Sequence, residues 1–346
     1  MIDEAPFFSI CIPAHNALPL IEQTFLSIAR QSCKDWEILV VDDCSQDEIG
    51  AWLEKQDYVA DEQVTYIRLN ENMGPFYARR VAFRAARGRY ILCVDADDEL
   101  VGDDALEWLW SFINREAERP DIVLFNATLD KNAVSRWVNY EANGITQGAV
   151  LVKKLIEVFT TSHILNNLCL KAIRRELLLP ADLDNAGDLA MCEDRLEVAG
   201  VLYKSKSAAL IDAPLYFYRQ NAASTTHRRF ELDYCRQQSL IEDQISRLFP
   251  IEAKTTAANN LFLQVWADDM KQIALGRTIS DIADCYRSMN ANAYFRAALV
   301  AGEVSKLRID HRLLLKLLWN GDYRMAAYIA VALNMAKTAI SAPKGK

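Results

Sequence analysis

The first 126 residues alternate short apolar runs with segments of helical spacing, and this alternation restricts the fold more than any other feature of the chain. FFSICI (Phe7 to Ile12), ended by Pro13, reads as a strand, and Leu20 to Arg30 as a helix with Ile21, Phe25 and Ile28 on one face. WEILVV (Trp36 to Val41) and VTYIRL (Val64 to Leu69) are the next strands. Gly74-Pro75 opens a helix through about Ala86, since proline suits a first helical turn. YILCV (Tyr90 to Val94), a helix over Asp103 to Glu118 and DIVLFN (Asp121 to Asn126) complete the series. Apolar runs without polar alternation fit strands covered on both faces. Strand–helix alternation with short connections implies an α/β fold with a mainly parallel sheet.

The pattern is less regular from about 127 to 227, with strands at CLKAIR and ALIDAPLYFY and helices between. Beyond Arg228 the segments 231–248, 252–276, 279–290, 293–304, 308–319 and 322–341 all read as helical. The expected organisation is therefore an α/β unit over residues 1–230 and an α-helical C-terminal region over 231–346. Charge divides the same way. Of 39 basic and 47 acidic residues, the C-terminal region holds 15 and 12, a balance of +3, which leaves −11 on the first 230 residues. A broad nucleic-acid surface is excluded, because phosphate binding needs clustered Lys and Arg.

Eight scattered cysteines without a CxxC pair suggest reduced, buried thiols and a cytoplasmic setting. Four dispersed histidines give no zinc spacing. No apolar run reaches the roughly 18–20 residues of a membrane span. MIDEAPFF lacks the basic start of a secretory signal.

In an open parallel sheet, ligands bind beyond the carboxyl ends of the strands. Pro13-Ala14-His15-Asn16 follows the first strand, Asp42-Asp43 the second, and Asp95-Ala96-Asp97-Asp98 the fourth. Asp forms loops and turns well, but acidic groups at two strand ends together point to a site. Crowded carboxylates raise each other's pKa unless a cation sits among them. Asp-x-Asp-Asp offers hard oxygen ligands for Mg²⁺ or Mn²⁺, and such a metal would hold the phosphates that an acidic domain otherwise rejects. Neither a Walker A motif nor a GxGxxG after the first strand is present, so a glycine cradle for phosphate is not supported. Glu193-Asp194 opens a later helical pattern. There an acidic pair favours the helix dipole, and in a shared cleft it would also supply a general base.

In their order, these motifs resemble the inverting family 2 glycosyltransferases, which have a GT-A fold, a Rossmann-like domain around a mixed, mainly parallel sheet. The resemblance lies in FFSICIPAHNALPLIEQTFLSIARQSCKDWEILVVDDCSQD, NENMGPFYARRVAFRAARGRYILCVDADDEL, NNLCLKAIRRELL, CED and DAPLYFYRQNAASTT, across roughly residues 7–227. It implies a nucleotide-binding part over about 1–126 and an acceptor-side part over about 127–230. Carried over by position, Pro13, His15, Asn16 and Asp43 contact the nucleotide base, with Asp42 beside them. Arg79 approaches the nucleotide or its diphosphate. Asp95 and Asp97 contact the ribose and the metal-bound diphosphate, and either Asp97 or Asp98 ligates the Mn²⁺ or Mg²⁺. Asp194 is the catalytic base, with Glu193 beside it, and His227 is a further donor or metal contact. Two positions depart from the pattern: His15 stands where Tyr is usual, and Cys44 stands where Gly is common, which asks for a different turn.

The implied reaction moves a sugar, with inversion, from a nucleotide-diphosphate donor (a UDP-sugar is expected) to a saccharide or lipid-linked saccharide, as in bacterial-type surface polysaccharide synthesis. The alternative is a non-catalytic nucleotide-sugar-binding or scaffold protein of the same fold. Receiver domains are shorter and carry their acidic pair after the first strand, and sugar-phosphate nucleotidyltransferases need a glycine-rich basic loop that is missing. The apolar helices LLLKLLW and MAAYIAVALNM either pack on the catalytic domain or a second subunit, or lie on the inner membrane surface.

Overall fold

A computed structural model describes residues 5–18, 20–56, 63–115, 119–131, 147–161, 164–178, 193–220, 241, 244, 245, 247–249 and 256–341. The chain divides into two compact units, Met1–Phe159 with Ile164–Asn221, and Ala222–Lys346 with Thr160–His163.

The first unit is built on one mixed sheet. Its described strands are β1 (Phe8–Ala14), β2 (Trp36–Asp42), β3 (Val64–Arg68), β4 (Tyr90–Cys93), β5 (Glu99–Leu100), β6 (Ile122–Thr128), β7 (Gln147–Gly148), β8 (Lys171–Arg174) and β9 (Ala208–Phe217). They lie in the order β3-β2-β1-β4-β8-β6-β9-β5, with β7 also on β9. β3, β2, β1 and β4 are mutually parallel, and β8 runs against both of its neighbours. Phe8, Ile10, Ile12, Ile38, Val40 and Leu92 are almost wholly buried, as uninterrupted apolar strands require. Helix α1 (Leu20–Ala29) buries Ile21, Phe25 and Ile28, the face expected from spacing.

Pro13 does not end β1, which continues to Ala14. The reason is the register. β4 pairs with Phe8 through Cys11 only, whereas β2 follows β1 to Ala14. Pro13 therefore sits where one side of the strand has no ladder, a position that tolerates a missing N–H.

Three adjacent parallel strands, β2, β1 and β4, thus end side by side, and their loops form one rim. The start of β4, opposite the rim, is fixed against β1 and β2. Gly88, two residues before β4, packs so closely that an added Cβ would lie 2.6 Å from the Ser9 backbone nitrogen. The Gly88 N–H donates to Ser9 Oγ (2.8 Å), and Ser9 donates in turn to Glu37 (2.6 Å). Gln31, fully buried after α1, accepts from the Leu106 N–H and donates to the Gly102 carbonyl. It thereby ties α1 to helix α4 (Ala105–Arg115).

Helix α2 (Ile49–Leu53) and the two-residue strands β5 and β7 escaped the sequence reading, whereas the irregular middle region holds helix α5 (Ala149–Thr161) and, between β8 and β9 where helices were expected, the short helix α6 (Arg175–Leu178). In the second unit the described helices are α8 (Thr256–Ile273), α9 (Ile279–Ala291), α10 (Ala293–Ala301), α11 (Ile309–Trp319) and α12 (Tyr323–Ser341). They enclose a core of their own around Trp266, Met270, Tyr286, Phe295, Leu314 and Leu318. Most of the helix expected over 231–248 lies outside the described residues, as does His227. No helix among the described residues is long and apolar enough to cross a membrane. The described cysteines Cys11, Cys33, Cys44, Cys93, Cys169 and Cys285 are free thiols, all but Cys44 buried.

Candidate active site at the rim of the parallel strands

Helix α3 (Gly74–Ala85) starts directly on Asp43. The Asp43 carboxylate accepts the Met73 N–H (2.7 Å) and the Gly74 N–H (2.8 Å). Acceptors at a helix start satisfy donors that the helix itself leaves open. Asp42 is anchored more deeply. Its side chain is fully buried, one oxygen accepting the Ser45 N–H (2.8 Å) and the other the Tyr66 hydroxyl and Arg68 (each 2.6 Å). Burial alone would raise its pKa, but these donors outweigh it and hold the carboxyl below its ordinary range. Asp42 therefore shapes the β2 loop from inside, while His15 and Asn16 stand exposed beside it.

His15 Nδ1 lies 2.7 Å from the Asp43 carbonyl oxygen, which can only accept, so Nδ1 carries the proton. Nε2 then accepts from the side-chain amides of Asn16 (3.0 Å) and Asn72 (3.2 Å). Asn16 holds φ at 51° and receives the Gln46 N–H on its side-chain oxygen (2.7 Å). Cys44 holds φ at 57°. The expectation of a different turn there is thus corrected: the cysteine adopts the left-handed conformation that a glycine would take, at a cost of about 1–2 kcal/mol.

From α3, Arg79 reaches across to helix α7 (Glu193–Lys204), whose first two residues are the predicted acidic pair. Its guanidinium is almost wholly buried. Nη1 donates to Asp194 (2.5 Å) and Glu193 (2.9 Å), and Nη2 to Asp95 (3.3 Å) just beyond β4. One cation therefore joins the predicted base to the predicted diphosphate loop. Burial works against its charge, but Asp194, Asp95 and Glu193 more than offset that and push its pKa well above the ordinary value. Asp194 is 26% exposed by its side chain. Burial raises its pKa to about 7. Arg79 opposes the rise, and Glu193 and Asp95 add to it. Oδ1 is held by Arg79, whereas among the described residues Oδ2 has only the long Leu168 N–H bond (3.4 Å). Oδ2 is thus the oxygen placed to take a proton. One turn on, Glu197 forms a second buried pair with Arg80 (3.2 Å).

The Asp95–Asp98 loop is held by β9 and the residues after it. The Tyr216 hydroxyl donates to Asp98 (2.7 Å) and accepts the Asp95 N–H (3.2 Å). The Arg219 N–H donates to the other Asp98 oxygen (2.8 Å), and Arg219 Nε to the Asp97 carbonyl (2.7 Å). Asp98 is 1% exposed. Burial first, and Asp95 next, raise its pKa to about 8. Asp95 and Asp97 remain half-buried at the rim.

Among the described residues no three His, Cys, Asp or Glu side chains gather to hold a metal by themselves. The donor set fits a different arrangement, in which Mg²⁺ or Mn²⁺ takes one or two carboxylates and completes its shell with substrate phosphates and water. Asp97 suits that role, with Asp95 next to it. Asp98 suits it poorly, because each of its oxygens already accepts a hydrogen bond inside the protein.

The rim therefore brings together His15, Asn16 and Asp43 through one hydrogen-bonded loop, and Arg79, Asp95, Glu193 and Asp194 through one ion cluster. Pro13 lies at the end of β1 beneath them. Sequence reasoning missed Tyr66, Arg68, Arg80, Glu197, Tyr216 and Arg219. Tyr216 and Arg219 stand in the DAPLYFYRQ segment that carries the resemblance, though no role was assigned to them, and Glu197 carried a local signal in its four-residue spacing from Glu193 on one helix face.

The profile of Glycosyl transferase family 2 matches residues 9–178, which span β1 to α6 and hold the His15, Asp43, Arg79 and Asp95–Asp98 part of the rim, while Glu193, Asp194, Tyr216 and Arg219 lie beyond it. The chain carries a family 2 glycosyltransferase domain. It is 28% identical to EpsJ, an uncharacterised glycosyltransferase of Bacillus subtilis, over 225 residues, 64% of this chain and 63% of EpsJ. It is 26% identical to the poly(ribitol-phosphate) β-N-acetylglucosaminyltransferase TarS of Staphylococcus aureus over 213 residues, 61% of this chain but 35% of TarS. The chain thus spans less than two thirds of the length of either relative. In structure it is similar to TarS 1–349 bound to UDP-GlcNAc, with a TM-score of 0.66 at 20% identity, over 95% of this chain and 92% of that one. The mannosyltransferase PcManGT of Pyrobaculum calidifontis, bound to GDP-Man and Mn²⁺, shares the fold more distantly, at a TM-score of 0.50 and 16% identity over 96% and 88%.

Proposed function

We propose that this protein transfers a glycosyl group, with inversion, from a nucleotide-diphosphate sugar to a hydroxyl of a saccharide or lipid-linked saccharide, in synthesis of a bacterial-type surface polysaccharide. The observation that carries the reading is the Arg79 cluster. It ties a carboxyl with a pKa near 7 to the loop where a diphosphate would sit. A general base works best when its pKa lies near the working pH.

In this reading His15, Asn16 and Asp43 line the nucleotide-base end, and the backbone around Pro13 supports them. Asp42 acts indirectly, by fixing the loop. Asp95 and Asp97 face the ribose and diphosphate. Asp97 would hold Mn²⁺ or Mg²⁺, which when bound offsets the charge of the leaving diphosphate. Arg79 holds Asp194 in place through Oδ1, and Oδ2 takes the proton from the acceptor hydroxyl. The oxygen then attacks the anomeric carbon from the face opposite the diphosphate, and one displacement inverts that centre. Glu193 keeps Arg79 aligned beside the acceptor. A UDP-sugar donor is supported by the likeness to TarS, and a cytoplasmic setting by the free thiols.

Calorimetry of UDP binding with and without Mn²⁺ tests the donor side. Mn²⁺ should tighten binding to the wild type, and Asp97→Ala should remove most of that gain. Equal Mn²⁺ dependence in the two proteins would overturn the role of Asp97.

A further inference from the structure

We propose that the solvent face of α10 and α11 in the helical unit docks on an anionic phospholipid membrane surface. On α11 the inward side is His311, Leu314, Leu315 and Leu318, all buried. At about 100° per residue, Ile309, Arg312, Leu313, Lys316 and Trp319 fall together on the opposite half of the helix. Ile309 is 75% exposed, Leu313 42% and Trp319 45%. Such side chains usually face a core or a partner, and contiguous exposed apolar groups mark an interaction surface. On α10, Arg296 and Val300 share one stripe. Val300 is 77% exposed, and Arg296 stacks over the Trp319 ring, 5.3 Å from its centroid.

Between the two helices lies a cleft of about 480 Å³. Its walls are apolar, with Leu299, Val300, Val304 and Trp319, and Arg312 and Lys316 bring positive charge to them. The nearby carboxylates do not cancel this. Glu303 is bound by Lys306, and Asp310 by Lys271 and Arg308.

The sign of the patch selects the occupant. A second copy of this chain docking through the same face would set Arg296, Arg312 and Lys316 against their own equivalents, which opposes a symmetric contact. An anionic bilayer meets both halves of the patch. Lipid phosphates pair with the cations, and Trp319, Val300, Ile309 and Leu313 enter the interface, where aromatic and aliphatic groups are favoured beside basic ones.

The test is sedimentation of the full chain with vesicles of phosphatidylcholine alone and of phosphatidylcholine with phosphatidylglycerol, with no donor or acceptor present. Binding should require phosphatidylglycerol and weaken with salt. Arg312→Gln with Lys316→Gln should weaken it about 25-fold, at about five-fold for each cation lost near an anionic surface. Val300→Ser with Ile309→Ser leaves the charge unchanged and should also weaken binding. Thermal unfolding of each variant shows that the helical unit still folds. The proposal is overturned if the chain ignores phosphatidylglycerol vesicles, if both double variants bind like the wild type, or if the face is taken up in a dimer that Trp319→Ser dissociates. Because the readout uses neither donor nor acceptor, it stands or falls separately from the transferase reading.

Discussion

Replacing Arg79 by Met tests whether the three-carboxylate cluster is held together by one cation. The guanidinium is 9% exposed by its side chain, and it faces Glu193 (10% exposed), Asp194 (26%) and Asp95 (35%). Removing one member of a buried ion pair costs about 3–5 kcal/mol, because a charge stays buried without its partner. Asp194 and Asp95 keep part of their hydration, so the lower end, about 3 kcal/mol at pH 8, is the expected loss. The loss must shrink in acid. Without Arg79, which opposes the rise, the Asp194 pKa in the folded protein moves further above its unfolded value. Such groups favour the folded state below the unfolded value and lose that contribution as pH rises through the folded one. Urea unfolding of the variant and wild type at pH 5 and pH 8, with native-state hydrogen exchange at β4 to report on this unit, measures both effects. A loss under about 1 kcal/mol at pH 8, or a larger loss at pH 5 than at pH 8, would refute the reasoning.

Gly88→Ala should destabilise the α/β unit by about 1–3 kcal/mol, since its Cβ meets the β1 backbone at Phe8 and Ser9 as well as the hydrogen-bonded Ser9 hydroxyl; chemical denaturation measures it. Tyr216→Phe should cost about 1.5–3 kcal/mol by removing a hydrogen bond to a buried carboxyl and leaving the Asp95 N–H open, and it should weaken UDP binding in a thermal-shift titration. The rate of UDP release from a bound UDP-sugar should rise as pH increases through about 7, because Asp194 accepts a proton only when ionised. A profile flat from pH 5.5 to 8.5 would contradict that.

Much of the α/β unit was legible because it is written in local patterns. Uninterrupted apolar runs gave β1, β2, β4 and β6, and the Gly74-Pro75 pair gave the start of α3. Strand ends were less legible, because they depend on register. Pro13 reads as a stop, yet β1 continues past it on the side where β2 alone remains paired. The two-residue strands β5 and β7 have no periodicity to detect. Within the rim, the acidic residues could be picked out by their place after strands, but their separate tasks could not. Nothing local distinguishes Asp42, sealed against Tyr66 and Arg68, from Asp43, which starts a helix. Asp98 looked equivalent to Asp97 until Tyr216, 118 residues away, was found bound to it. The cluster around Arg79 joins residues 115 apart, a distance in sequence that no pattern of spacing reports.

The most direct test of the account is Asp194→Asn, with UDP release from a UDP-sugar measured alongside UDP affinity. The amide keeps the shape of the side chain but cannot take a proton. General-base catalysis contributes about 10²–10⁴-fold, so turnover should fall by at least about 100-fold while UDP affinity stays near the wild-type value. Turnover close to wild type would show that Asp194 is not the base.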